Sequence, residues 1–205
     1  KNPLLKNVNL MICDGSNYVS VFKHTEQESM TSFLTFIQIY TTLHILDVSG
    51  NAIFKMFLPL VESMTISILY LLVKSFAIVK LIKPTSSHAD NSEVYCVCKS
   101  YNGLTTIHPE ILKKLDALYG RFDVTDSIYP LNYIDMTFID SLTQASNNMA
   151  SNCTKAIERC LYLRDNYYSN YNLQKSMMDN KEQQIKKWLK NTNIKAINQE
   201  DKLLN

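Results

Sequence analysis

Three residues combine the types that hold and move protons: Asp14, Lys55 and Glu93. A lysine with two carboxylates either caps a sheet as an ion-pair cluster or works as a proton-handling site, and the types alone do not choose. Their placement is more telling. Asp14 ends a short apolar run, Val8 to Cys13, and Gly15 turns the chain after it. Lys55 lies toward the end of a second run, Ala52 to Phe57. Glu93 opens an alternating run within "KPTSSHADNSEVYCVC", residues 83 to 98. Nine polar or small residues, Pro84 to Ser92, precede it. A tight hairpin needs only about two to five.

The elements that must position the trio follow from periodicity. Val8 to Cys13 reads as a strand buried on both faces. Glu26 to Leu46 has a helical period, with Met30, Phe33, Leu34, Ile37, Tyr40, Thr41 and His44 expected on its packed face. Ser49-Gly50-Asn51 ends it, Ala52 to Phe57 is a second strand, and Met64 to Phe76 is a helix apolar nearly all round and therefore buried. Ala77 to Ile82 and Val94 to Ser100 make the third and fourth strands. Strand–helix–strand–helix–strand is the pattern of a parallel sheet with helices on its faces. No helix separates strands three and four, so the fourth is expected to run antiparallel. Ligands bind outside the carboxyl ends of parallel strands, and an antiparallel fourth strand starts at that edge. The long loop thereby delivers Glu93 beside Asp14 and Lys55.

Composition bounds the rest. The 205 residues are 46% hydrophobic and 20% charged, which suits one sizeable core. The net charge of +2 advertises no polyanionic partner through a global field, so any nucleic-acid surface must be local. Five cysteines sit inside apolar patterns, and a reduced intracellular protein is expected. Cys96 and Cys98 share one strand face and read as core thiols rather than a metal site. The eleven uncharged residues between Glu62 and Lys74 fall short of the roughly 20 a membrane span needs, so no membrane association is expected.

After Tyr101 the composition changes. His108 to Tyr119 is predicted helical, and Leu142, Met149, Ala156 and Leu163, with Cys153 and Cys160 alongside, recur as on a long packing helix. Lys181 to Asn205 reads as a solvated, partly frayed tail, with a basic arm on RNA as the alternative. The expected divisions are 1–105, 106–190 and 191–205.

The blocks "LMICDGS", Glu26-Gln27-Glu28, Lys55-Met56-Phe57 and Asn91-Ser92-Glu93-Val94-Tyr95, in this order, resemble the FtsJ-type RNA 2'-O-methyltransferases. The similarity is greatest to the mRNA cap enzymes, and among these to the Adrift-type enzymes that act on the second transcribed nucleotide. It covers roughly residues 8 to 110. The fold it implies is α/β: the C-terminal half of a Rossmann-like methyltransferase sheet, parallel strands plus one antiparallel, then a helical extension.

The family uses a Lys-Asp-Lys-Glu tetrad to methylate a ribose 2'-hydroxyl with S-adenosylmethionine. The resemblance implies that Asp14 is the tetrad aspartate, Lys55 the second lysine and base, and Glu93 the glutamate, with Asp14 and Gly15 also near the cofactor. A lysine acts as a base only if its pKa falls from ~10.4 toward neutrality. Neighbouring carboxylates oppose that, so desolvation and a second ammonium must outweigh them. The family's first lysine supplies that charge, but it does not occur here. Nor does the glycine-rich loop that holds the cofactor, since Gly15, Gly50, Gly103 and Gly120 are the only glycines. A preceding N-terminal half is therefore expected, on this chain or another. No metal is implied.

The resemblance also turns the loop toward RNA, with Lys83, Ser86 and Ser87 as donors to phosphate or ribose and His88 where relatives commonly have Arg or Lys. The alternative is that Ser86, Ser87 and Asn91 simply shape a turn. Tyr18 and Phe22 are placed to stack on a base or to pack the next helix, and His44 reads as a satisfied core residue. The implied partner is the 5' end of capped mRNA, in the nucleus or the cytoplasm.

Overall fold

The structure is a computed structural model that describes residues 8–16 and 26–192. Its elements are β1 (Leu10–Cys13), α1 (Gln27–Ile45), β2 (Asn51–Phe57), α2 (Ser63–Ser75), β3 (Phe76–Ile82), β4 (Glu93–Tyr101), α3 (Pro109–Gly120), α4 (Met136–Asn166) and α5 (Tyr171–Thr192). The sheet order is β1-β2-β4-β3. β1 and β2 are parallel, whereas β4 runs antiparallel to both β2 and β3. The fourth strand thus takes a central place, inserted between two strands that α2 connects.

Strand alternation sorts the side chains onto two faces. Met11, Cys13, Ala52, Phe54, Met56, Val94, Cys96 and Cys98 share one face and, with α1 and α2, form the core. Right-handed crossovers running in the same direction along the sheet put both helices on that side. Phe54, Met64 and Leu72 are fully buried there, each contributing about 1.5–3 kcal/mol of transfer free energy. Cys96 and Cys98 are buried with their sulfurs 3.7 Å apart, and none of the five cysteines is in a disulfide.

The opposite face is open. Leu10 and Ile12 of β1 are 52% and 64% exposed, and Ile78 and Ile82 of β3 are exposed as well. The expectation that β1 is buried on both faces is therefore corrected: α1 covers one side, and nothing among the described residues covers the other.

The packed face of α1 also differs from the expected one. Glu28, Thr31, Ser32, Thr35, Phe36, Ile39, Thr42 and Leu43 are buried, while Met30 and Phe33 are exposed. Thr31 and Thr42 can face the sheet because their hydroxyls bond within the helix: Thr31 donates to the Gln27 carbonyl at 2.8 Å and Thr42 to that of Gln38 at 2.7 Å. The larger residues form an outer aromatic seam. Phe33 lies 5.1 Å from Phe122, Tyr40 stacks on Tyr119 at 5.0 Å, and the Tyr40 hydroxyl donates to Asp116. His44 is half-buried, with Nδ1 2.8 Å from the Tyr40 carbonyl.

His108 caps α3, its Nδ1 accepting from the Glu110 amide, and Pro109 supplies the first helical position. Packing continues across residue 105: Ile107, Leu115, Leu118, Ile128 and Leu142 belong to the same core as the sheet. Two compact units divide at Ile157 and Glu158, inside α4. Along α4, Leu142 is buried, Met149, Cys153, Ala156 and Leu163 are half-buried, and Cys160 is exposed. The stretch read as a frayed tail is helical through Thr192, within α5, which has no buried residue. Residues 193–205, and with them most of the expected 191–205 tail, lie outside the described residues, as do His24, Tyr18 and Phe22. No described helix is long and apolar enough to cross a membrane.

Candidate active site

The rim formed by the carboxyl ends of β1 and β2 and the amino end of β4 brings three charged groups together. Lys55 Nζ lies 2.8 Å from Asp14 Oδ1 and 4.0 Å from Glu93 Oε2. It also donates to the Asp14 carbonyl at 3.1 Å. Register explains the meeting: Phe57 pairs with Glu93 and Lys55 with Tyr95, so Glu93 arrives one rung beyond the lysine on the same face. The lysine side chain is 9% exposed and Asp14 59% exposed. The amine is thus sunk into the rim while one carboxylate stays open to a ligand.

Glu93 is held from several directions. Tyr95, two residues along the strand, donates its hydroxyl to Oε1 at 2.9 Å, and Ser87 approaches the same oxygen at 3.4 Å. Burial and the Glu93 carboxylate push the Tyr95 phenol up to about 12, so it stays a donor at neutral pH. The role of Tyr95 was not read from the sequence, although period-2 alternation from Glu93 already placed it on that face.

Gln27 and Glu28 are the other residues whose roles were missed. Ser92 donates to Gln27 Oε1 at 2.7 Å, and Glu28 accepts from the Val61 and Glu62 amides at 3.1 and 2.9 Å. The start of α1 therefore ties down both the residue before Glu93 and the entry to α2. The Leu58 amide, donating to the Ser92 carbonyl at 2.8 Å, joins these two anchors.

A cleft of about 300 Å³ opens beside Glu93 and Tyr95, lined also by Pro84, Ser86, Ser87, His88 and Asn91. Ser86 and Ser87 are thus where a substrate bound next to the trio would meet them. Lys83 is placed otherwise. Its ammonium donates to the Asn91 carbonyl (2.9 Å), Asn91 Oδ1 (2.7 Å) and the Glu93 carbonyl (2.8 Å), which uses all three of its protons. These bonds lie inside the loop, and burial pulls the lysine below its ordinary pKa.

S-adenosylmethionine carries sulfonium and ammonium charges, for which an open carboxylate is the matching group, and Asp14 offers one. Gly15 lies against α1: a Cβ there would run into the Gln38 amide and come 3.2 Å from Leu34 Cδ2. The residues present fit one side of the donor. No glycine-rich loop is among them to hold its methionine end. No group of three or more His, Cys, Asp or Glu that could hold a metal occurs among the described residues.

Comparison with known proteins gives the frame for this rim. A family model described as FtsJ-like methyltransferase matches residues 1–101. An uncharacterized protein of Acanthamoeba polyphaga mimivirus is 30% identical over 85% of this chain and 22% of its own length. The cap-specific mRNA (nucleoside-2'-O-)-methyltransferase 2 of Pongo abelii is 33% identical over 66% of this chain and 17% of its own. The cap-specific mRNA (nucleoside-2'-O-)-methyltransferase 1 of Trypanosoma cruzi is 27% identical over 76% and 44%. The chain spans about a fifth of the length of the first two. Through residues 1–101, which carry Asp14, Lys55 and Glu93, the chain belongs to the FtsJ-like methyltransferase family.

Proposed function

We propose that this chain carries the catalytic rim of an S-adenosylmethionine-dependent RNA ribose 2'-O-methyltransferase acting on capped mRNA, at the second transcribed nucleotide. The observation behind this reading is the convergence of Lys55, Asp14 and Glu93 at one strand edge in a member of this family. The names of the cap 2 relatives support the substrate. S-adenosylmethionine supplies an already activated methyl group. The chain's own work is to align an oxygen and take one proton.

In this reading Lys55 accepts the proton of the 2'-hydroxyl. Asp14 and Glu93 approach its amine from different strands and fix where the nitrogen points. Tyr95 holds Glu93 in turn, and Ser86 and Ser87 offer hydroxyls to the ribose or phosphate beside it. Capped transcripts occur in the nucleus and the cytoplasm, and the proposal extends to either compartment.

The test is methyl transfer by the intact protein to three transcripts: capped, uncapped, and capped with a 2'-deoxy second nucleotide. Transfer only to the first is expected. Transfer to capped and uncapped RNA alike would instead favour an rRNA- or tRNA-directed relative, and persistence on the 2'-deoxy transcript would move the site to another nucleotide. A second reading, a binding module without catalysis, draws on the absence of a glycine-rich loop from these residues. Absent S-adenosylmethionine binding by the intact protein in calorimetry would establish it.

The open sheet face supports a further part of the proposal. Leu10, Ile12, Ile78 and Ile82 line a surface that helices would cover in a sheet wound on both sides. The occupant proposed is the N-terminal half of the methyltransferase domain, which also brings the missing lysine and glycine loop. Ile12→Asp is expected to weaken assembly of the two halves, expressed separately, by at least about tenfold, since a charge would replace a buried isoleucine. Unchanged assembly in a pull-down titration would remove this face from the interface.

A further inference from the structure

β3 pairs with β4 through Ile82 and Tyr95, and continuing that register sets Pro84 opposite Glu93. Proline has no backbone N–H, so the ladder loses its donor at that rung. The backbone of Glu93 is nevertheless engaged on its β3 side. Its carbonyl accepts from Lys83 Nζ at 2.8 Å, and its amide donates to Asn91 Oδ1 at 3.2 Å. Asn91 Oδ1 also accepts from Lys83 Nζ at 2.7 Å, and the Asn91 carbonyl takes the third ammonium proton. The ammonium thus takes the place of the N–H donor that Pro84 lacks, while the Pro84 carbonyl accepts from the Ser87 amide at 3.0 Å and Asn91 Oδ1 serves the Glu93 amide instead.

The other side of the strand is held by backbone, through the Leu58 amide and the Ser92 carbonyl. From α4, the Cys153 thiol reaches the Asn91 carbonyl at 3.4 Å. The side chain of Glu93 can be aimed at Lys55 only if its own peptide is fixed, and that peptide lies at the mouth of a nine-residue loop.

We propose that Lys83 is a positioning residue which stands in for the backbone donor that Pro84 lacks and, with Asn91, fixes Glu93 against Lys55. The proposal rests on the reading of the trio as the methyl-transfer site, but the lock itself is measurable without activity.

The experiment compares wild type, Lys83→Met and the double variant Lys83→Met/Pro84→Ala. Methionine keeps the stem and removes the donors, and alanine at 84 restores a backbone N–H opposite Glu93. In the 205-residue chain, Lys83→Met is expected to speed amide hydrogen exchange at Glu93 by about tenfold or more, leaving the β1–β2 amides unchanged. In the intact protein it is expected to lower kcat by roughly ten- to a hundredfold with KM for RNA unchanged. Pro84→Ala is expected to recover a substantial part of both losses, which a variant that merely folds poorly would not show.

If Lys83 instead meets phosphate, Lys83→Met would raise KM and flatten the salt dependence of RNA binding by about one counterion, with no rescue by Pro84→Ala. That result overturns the proposal, as does unchanged exchange at Glu93. If the wild-type protein transfers no methyl group, the reading of the site fails, and exchange at Glu93 still decides whether Lys83 holds that residue.

Discussion

Lys55→Arg is expected to leave the melting temperature of the chain close to wild type and to lower kcat of the intact protein by about 10²- to 10⁴-fold, the usual contribution of a general base. The substitution separates the two roles that a lysine between carboxylates can have. A guanidinium preserves the positive charge and can pair with Asp14 and Glu93, so an ion-pair cap at the rim would survive it. It does not release a proton in proteins, so it cannot accept one from a ribose hydroxyl. Lys55→Ala removes both roles and leaves two acids facing one another at the rim. It is expected to lose transfer while binding of capped RNA stays within a few-fold. The measurement is single-turnover transfer of labelled methyl groups, with RNA binding by fluorescence anisotropy as the control. Should Lys55→Arg keep more than about a tenth of the wild-type rate, the amine is a cap and another group takes the proton.

The largest expected effect on stability comes from Glu28→Ala. Glu28 is 6% exposed, and its two oxygens each accept one backbone amide, from Val61 and Glu62. Glu62 is the residue that caps α2, so the carboxylate also sits where the helix dipole favours a negative charge. Alanine would leave two amides without their partner, and a loss of about 2–4 kcal/mol is expected from the unmet bonds and the vacated space. Glu28→Gln keeps the shape but turns an amide donor toward one of the two N–H groups, and about half that loss is expected. Urea denaturation of the 205-residue chain checks both, with the midpoint falling and the slope unchanged. A loss of unfolding free energy below about 1 kcal/mol in Glu28→Ala would show that water replaces the carboxylate. The loop that Glu28 anchors also carries Leu58, which bonds the Ser92 carbonyl, so the variant is expected to loosen the rim as well.

Much of this arrangement was legible from local signals. Asp14 before a turn, Lys55 near a strand end and Glu93 at a strand start each follow from short-range patterning. The reversal of β4 followed from the missing helix between residues 82 and 93. What was not legible depends on partners distant in the chain. The insertion of β4 between β2 and β3 is a choice of neighbours that alternation does not encode, since Val94, Cys96 and Cys98 would alternate equally well at an edge. The face of α1 was misread because a helix with Phe33 and Tyr40 on one side and Thr31, Thr35 and Thr42 on the other looks one-sided by hydropathy. At Thr31 and Thr42, intrahelical hydroxyl bonds make the second side fit to bury. Lys83 was read as a donor to RNA because nothing local says that its ammonium bonds back to Asn91 and Glu93. Gln27 and Glu28 stood in the motif, but their roles lie 65 and 34 residues away, at Ser92 and Glu62.

The central place of β4 bears on how the chain reaches its native state. β2, α2 and β3 are made before β4, yet β2 and β3 have no shared hydrogen bonds in the finished sheet. Early on, two neighbouring parallel strands joined by a helix have every reason to pair, and that pairing must be absent or undone for β4 to enter. Ribosomal synthesis therefore yields a sheet that closes from its middle, and only once residue 101 is available. Glu93 leads the closing strand, so the acid and the amine it faces come into register in the same event that joins the four strands.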